Sequence, residues 1–392
     1  MQILILGGSG FVGQRLARCL AATGLHPLSA SRGLRPTAAH AAATAQSPGQ
    51  HLVLDACDEA GLTQALRGCD AVVNAVAGSP QAIAEGARVL AQALRAVGGR
   101  PLVHLSSMAV YGQQEGLLDE TAWMPVGVGA TAPADPADHG ARMTPMDPMA
   151  PMTRLARTPR TARTDPTSRG LRLAPVVSAA GSAYARAKRV AEAHLAPLAG
   201  EGMPVAMLRP GCVWGPGSPL WVDRIAALLA AGRLGDLGAR GDGWTQGLHV
   251  DDLCQAVLRL LLQANTGLRV YHLAAPDSPR WNIYLRDLAV VIGATPLRRL
   301  SAWQLTLDAG VLSPALYLAQ RLGLRRSHLP PLPPGLLRLM ASPMRLQCEA
   351  VQGALNLRWT PYERALGEAA AGWRRDNASH RALARNSGLP ST

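Results

Sequence analysis

Apolar residues run in short blocks along this chain, each followed by a longer stretch with helical spacing. Met1 to Leu6 reads as a buried strand, and the apolar positions Leu16, Ala17 and Leu20 continue it into a helix. His26–Ser31 predicts the second strand, Leu52–Leu54 the third, Ala71–Ala77 the fourth and Leu102–Ser106 the fifth. Between the last two, Ile83 to Val97 has helical spacing. The alternation resumes with a helix carrying Tyr184, a strand at Val205–Leu208, an amphipathic helix at Leu253–Leu262 and a strand at Val270–Leu273. Strands alternating with helices predict an α/β fold, a Rossmann-type doubly wound parallel sheet covered on both faces. Beyond residue 273 the pattern is mainly helical, broken at Pro330–Pro334, and predicts a smaller substrate-binding region over 274–375. A polar tail over 376–392 follows.

One segment breaks the pattern. Residues 123–175 hold nine Pro, five Met and seven Thr but three Leu, too few apolar side chains to build a core. They predict a disordered or loosely packed insert, dividing the dinucleotide-binding domain into 1–122 and 176–273.

Gly7, Gly10 and Gly13 lie at spacing three and three between the first strand and the first helix. Gly7 permits the tight turn, Gly10 lets a pyrophosphate approach the backbone, and Gly13 lets the helix sit close on the strand. Phe11 and Val12 lie between them and count with the cofactor-binding positions.

Of the 39 basic residues, Lys188 is the one lysine, and it stands four after Tyr184. Residues at that spacing share a helix face. A compact ammonium reaches between a phenol and a sugar hydroxyl, where a planar guanidinium would not fit. The charge is expected to lower the tyrosine pKa and give a proton donor and acceptor usable near neutral pH.

With these motifs in place, the chain resembles the extended short-chain dehydrogenases/reductases, the NAD(P)-dependent epimerase/dehydratase family. Leu105–Gly112, Leu208–Gly217, Leu248–Leu253 and Leu357–Pro361 echo that family's segments in its order. The resemblance implies that Ser107 hydrogen-bonds the reacting oxygen, Tyr184 exchanges its proton, and Lys188 holds the nicotinamide ribose. It also implies that Asp55 contacts adenine, that Ala75 and Ala77 line the adenosine side, and that Pro210 and Val213 lie near the nicotinamide amide. The second strand ends at Arg32 with no acid nearby, which favours NADP, with NAD as the alternative.

Two departures weigh on the substrate. Thr245–Gln246 stand where sugar-nucleotide members commonly carry Arg–Asp, and Ile83 stands where an Asn is often found. The apolar stretch Ala302 to Leu324 instead resembles members that reduce hydrophobic ketones. The leading expectation is therefore an oxidoreductase moving hydride between NADP(H) and a carbonyl or hydroxyl of a largely apolar small molecule. A nucleotide-sugar epimerase or dehydratase is the alternative, with Arg325–Arg326 or other C-terminal arginines holding the diphosphate. A non-catalytic NADP(H)-binding protein is the third.

The formal net charge of +13 is concentrated: residues 280–392 carry 15 Arg against 6 acids. That basicity leaves open peripheral contact with a membrane surface, and a homodimer is also open. The basic regions lack interleaved aromatics, which argues against nucleic acid as a partner. The six cysteines show no Cys-x-x-Cys pairing and read as small buried residues of a reduced cytoplasmic protein. Histidine spacing suggests no metal, and with the fold beginning at residue 2, no signal peptide is expected.

Overall fold

A computed structural model describes residues 1–33, 49–125, 179–263, 266–321 and 330–386. Seven parallel strands form the central sheet: β1 (Gln2–Leu6), β2 (His26–Ser31), β3 (Gln50–Val53), β4 (Ala71–Asn74), β5 (Leu102–Leu105), β7 (Val205–Pro210) and β10 (Leu268–Leu273). Their spatial order is β3-β2-β1-β4-β5-β7-β10, with β1 at the point where the winding reverses. Ile3 pairs with Pro27 on one side and Ala71 on the other.

The central strands are apolar on both faces because both are covered. One face packs on α2 (Glu59–Arg67), α3 (Pro80–Ala96) and α4 (Ala179–Leu195), burying Leu62, Leu90 and Ala191 against Leu4, Val72 and Met207. The other packs on α1 (Phe11–Ala22) and α6 (Val250–Leu262), burying Leu16, Leu20 and Val257 against Ile5, Val73 and Leu208. Helix starts follow from capping: Asp58 accepts from Gly61 N, and Ser79 accepts from Ala82 N with Pro80 at the first position.

The C-terminal region is mainly helical. It contains α5 (Arg224–Ala230), α7 (Trp281–Ile292), α8 (Ala302–Leu307), α9 (Ser313–Arg321), α10 (Pro334–Met340), α11 (Glu349–Leu355) and α12 (Tyr362–Asn386). Trp281, Tyr284 and Trp214 anchor its core. Two short parallel pairs brace it, β6 (Leu117–Leu118) with β11 (Arg345–Leu346) and β8 (Cys212–Trp214) with β9 (Gly247–His249). Pairs of two or three residues leave no periodicity to read, and the sequence did not predict them.

Several boundaries differ from expectation. The fourth strand ends at Asn74, because the Asn74 side chain accepts from Val76 N and turns the chain. The last helix continues to Asn386, past the start of the expected polar tail, on a run rich in the strong helix formers Ala and Arg. Most of the expected insert, 126–175, lies outside the described residues. Its first residue is anchored: the guanidinium groups of Arg189 and Arg209 lie 5.7 and 5.2 Å from the Trp123 ring. The cysteines are all unpaired, but Cys57 is exposed and Cys19 and Cys348 are half-buried. Cys57 differs because it sits in the open loop after β3.

Gly13 carries the tightest demand in the first turn. A Cβ there would lie 2.3 Å from the Gly7 carbonyl oxygen and 2.8 Å from Gly8 Cα, both backbone. Gly13→Ala is expected to destabilise the fold by ~1–3 kcal/mol through forced separation of α1 from β1. A thermal midpoint equal to the parent's would show that the turn yields.

Candidate active site

The site residues gather because successive strands end on one edge. Gly7 follows β1, Arg32 follows β2, Asp55 lies just past β3, Ala75 follows β4, and Ser107 stands two residues beyond β5. Pro210 closes β7 and Val213 lies in β8 just beyond. Ligands of open parallel sheets bind at this carboxyl edge, where the strand order reverses.

The glycine turn is shaped by its neighbours. Gly7 has φ of +81°, and a Cβ on it would meet the Ala75 carbonyl oxygen at 2.7 Å. Only glycine satisfies both conditions. Helix α1 begins at Gly10 with no side-chain cap and no acid in its first turn. Its amide end is thus free of competing anions and fits a pyrophosphate. Phe11 and Val12 are half-buried there.

Arg32 is exposed. Asp55 is also exposed, and its carboxylate accepts from Cys57 N at 3.0 Å. Ala75 is half-buried and Ala77 exposed. Pro210 is buried and Val213 half-buried.

Ser107, Tyr184 and Lys188 converge. Ser107 and Tyr184 share a side-chain hydrogen bond, and Ser107 Oγ also accepts from Ala109 N at 3.2 Å. Lys188, one turn after Tyr184 on α4, is buried, with Nζ donating to the carbonyls of Leu105 at 2.7 Å and Val76 at 3.3 Å. The lysine thereby ties the loop after β4 to the end of β5, the two segments that carry Ala75–Ala77 and Ser107.

The electrostatics correct one expectation. Burial raises the Tyr184 pKa, and the opposing influence is the Ser107 hydrogen bond rather than Lys188. The lysine's own pKa falls to about 8, because burial penalises its charge and Glu192, four residues on, only partly restores it. His104 on β5 sits close enough to Lys188 to feel its charge, and burial and that charge hold it well below the usual histidine range. Both His104 ring nitrogens lack a hydrogen-bond partner among the described residues, as does Ser106 Oγ.

Sequence reading missed the support behind Lys188. Glu192 and Arg209 form a fully buried ion pair, with Nε to Oε1 at 3.0 Å and Nη2 to Oε2 at 2.7 Å. The signal was available: Tyr184, Lys188 and Glu192 fall at i, i+4 and i+8 on one helix face. A cluster that histidine spacing did not suggest brings His249, Asp251 and Glu368 within 4.8 Å. Asp251 is already paired with Arg15, and Glu368 with Arg364. These carboxylates therefore read as parts of an ion-pair network.

Residues 7–134 match the family described as NAD(P)H-binding, and residues 159–283 match the NAD dependent epimerase/dehydratase family. The second match bears out, over those residues, the expected resemblance to the epimerase/dehydratase family. The interval between the two matches falls inside the 123–175 segment. No curated protein matches the sequence. Among solved structures, the chain is similar to a UDP-glucose 4-epimerase from Stenotrophomonas maltophila with bound NAD and formylated UDP-arabinopyranose. The identity is 18%, over 97% of this chain and 99% of that one, with a TM-score of 0.62. It is also similar to a dTDP-glucose 4,6-dehydratase from Streptomyces venezuelae with NAD bound, at 18% identity over 97% and 98% with a TM-score of 0.61. A third is a putative epimerase from Burkholderia cenocepacia, at 19% identity over 95% and 98% with a TM-score of 0.61. These similarities show a shared Rossmann-type fold.

The depressed lysine has a consequence for stability. The folded protein releases the Lys188 proton near pH 8, whereas the unfolded chain holds it to about pH 10.4. The unfolded state therefore binds more protons across that window, and the lysine's penalty on folding is relieved as pH rises. Relative to Lys188→Met, which lacks this proton, the parent is expected to gain stability between pH 8 and about pH 10.4. Parallel denaturation curves for the two proteins across that range would show that the buried ammonium carries no such penalty.

Proposed function

We propose that this protein catalyses nicotinamide-dependent redox chemistry at a carbinol carbon of a nucleotide-linked sugar, as an epimerase or dehydratase. The observation that carries the reading is the convergence of Ser107, Tyr184 and Lys188 at the sheet edge that also bears the Gly7–Gly13 turn. The turn, the uncapped amide end of α1 and the small Ala75 fit a dinucleotide. When bound, the nicotinamide supplies hydride transfer. The chain's own residues manage the proton: Ser107 holds the substrate oxygen, and Tyr184 gives or takes the proton there. Lys188, fixed by two backbone carbonyls, places a cation where the ribose hydroxyls would lie.

The substrate class rests on three supports. The similar solved structures include a UDP-glucose 4-epimerase and a dTDP-glucose 4,6-dehydratase. Two exposed arginines lie on the Trp244 ring, with the guanidinium groups of Arg280 and Arg345 at 4.7 and 4.6 Å from its centre. Two cations meeting on one indole suit a diphosphate. Finally, the apolar stretch that favoured a hydrophobic ketone turns much of its apolar surface outward, exposing Trp303, Leu307, Val311 and Leu318. The apolar-substrate oxidoreductase remains a second reading because Thr245 and Gln246, which stand in place of an Arg–Asp pair whose arginine holds a phosphate, are buried and engaged with backbone carbonyls.

Tyr184→Phe is expected to reduce turnover by ~100-fold or more while leaving the cofactor dissociation constant near the parent's. The deciding measurement is product formation across panels of nucleotide-sugars and of apolar ketones. Turnover of ketones alone would overturn the nucleotide-sugar assignment. With a nucleotide-sugar substrate, removing both Arg280 and Arg345 is expected to raise KM about tenfold or more without altering cofactor affinity.

For the cofactor we propose NADP, on the exposed Arg32 at the end of β2 and the lack of an acid there, although similar structures hold bound NAD. Arg32→Ala should weaken NADPH binding roughly tenfold or more and leave NADH nearly unchanged. Calorimetric titration of both cofactors tests this, and an unaltered preference would remove Arg32 from the reading.

A further inference from the structure

The segment over Ala302–Arg321 is continuous, with a π-turn at Asp308–Leu312 joining α8 to α9. Leu305, Ala309, Ser313 and Leu316 are buried along its inner side. Its outer side carries Trp303 at 71% exposure, Val311 at 62% and Leu318 at 57%, with Leu307 and Leu312 each at 46%. A solvated helix normally presents charged or polar residues on that side. Here the sequence from 302 to 318 holds one charged residue, Asp308, which is paired with Arg233.

The polar groups near the stripe are turned back into the structure. Gln304 Oε1 accepts from Ser301 N at 2.8 Å, and Thr306 Oγ1 donates to the Ala302 carbonyl at 2.8 Å. From Trp303 to Leu318 the segment rises about 20–25 Å. An exposed apolar stripe of this length with an indole at one end marks an interaction surface.

We propose that this outer face docks on an anionic bilayer surface. Charge around the stripe argues for that occupant. Arg298 and Arg299 are exposed immediately before the helix. Arg240 is exposed too and reaches the first turn, donating to the Ala302 carbonyl at 3.3 Å and Thr306 Oγ1 at 3.2 Å. The nearby carboxylates are engaged: Asp308 with Arg233, and Asp236 with Gly238 N at 2.9 Å. An apolar helix face with cations at its end matches a surface-lying, interfacial helix. No helix among the described residues is long and apolar enough to cross a membrane. A second copy of the chain fits less well, because pairing this face with itself would bring two sets of the same arginines together on chains of net charge +13.

The test is vesicle flotation of the full chain with phosphatidylcholine alone and with phosphatidylcholine containing phosphatidylglycerol. The parent should float with the anionic vesicles, stay behind with the neutral ones, and be released by high salt. Trp303→Ser combined with Val311→Ser should abolish flotation without lowering the thermal midpoint, since both side chains are exposed. Arg298→Glu with Arg299→Glu should abolish it as well. Failure of the parent to float, equal flotation on neutral vesicles, or undiminished flotation of the serine variant would overturn the proposal. A concentration-dependent dimer lost in the serine variant, with no vesicle binding by the parent, would assign the face to a second copy instead.

Discussion

The fully buried ion pair between Glu192 and Arg209 is the constraint around which the elements beside Lys188 are arranged. Burying two charges costs several kcal/mol per ion unless their hydrogen-bonding capacity is filled. Here the guanidinium fork meets both carboxylate oxygens, and Nη1 donates to Tyr111 Oη at 2.6 Å and the Glu120 carbonyl at 2.9 Å. Tyr111 Oη then meets His272 Nε2, and His272 Nδ1 lies 2.9 Å from the Gln347 carbonyl. Burial lowers the histidine to about 4, so the ring is neutral near pH 7. Its Nδ1 must donate to the carbonyl, which leaves Nε2 to accept from the tyrosine. The tyrosine can then accept from Arg209, and every group in the chain is satisfied. The network joins α4, β7, β10, the loop after β5 and the segment before α11. Its acidic end lies one turn from Lys188, so the polar interior that orders these elements also bears on that buried ammonium.

That placement explains the lysine's energetics. The ammonium is removed from water, given two carbonyl oxygens and set near both Glu192 and His104. A neutral His104 is the state compatible with this neighbour, because a second cation in the same low-dielectric space would be costly. The protein thus keeps a charged group at a destabilising position. Such a cost is retained where function requires it, and it agrees with the choice of the chain's one lysine at this point.

Much of this was legible because it depends on local rules. The glycine spacing, the apolar strands and the i, i+4 pairing of Tyr184 with Lys188 each follow from backbone geometry, and the structure bears out the turn and the parallel sheet. What escaped depends on contacts distant in sequence. Arg209 reads as one residue in a strand motif until Glu192 and Tyr111 are seen on either side of it. Trp123 reads as the start of an insert until Arg189 and Arg209 are found on its ring. The direction of the Tyr184 shift was misjudged because spacing shows which residues share a face but not how deeply that face is buried. Apolar content over Ala302–Leu324 likewise indicated a helix, while its orientation was fixed by the core beneath it.

Gln246 shows how one residue can bear on both scaffold and specificity. It has a positive φ of 49°, and a Cβ on the facing Gly211 would lie 2.0 Å from its carbonyl oxygen. Its amide nitrogen donates to the Met344 carbonyl at 2.7 Å and its amide oxygen accepts from Leu346 N at 3.2 Å. The side chain therefore fastens β11 beside β9, and both of its polar ends are occupied. A charged side chain at this buried position would have to leave two backbone groups unpaired or carry its own counter-ion inward. This position therefore offers no free group to a phosphate. Arg345, adjacent to Leu346, is held in place by the clasp that Gln246 provides, and Arg280, at the N-cap of α7, reaches the same Trp244 ring. The local fold thus closes Gln246 to a phosphate and leaves two exposed cations, Arg280 and Arg345, on the Trp244 ring.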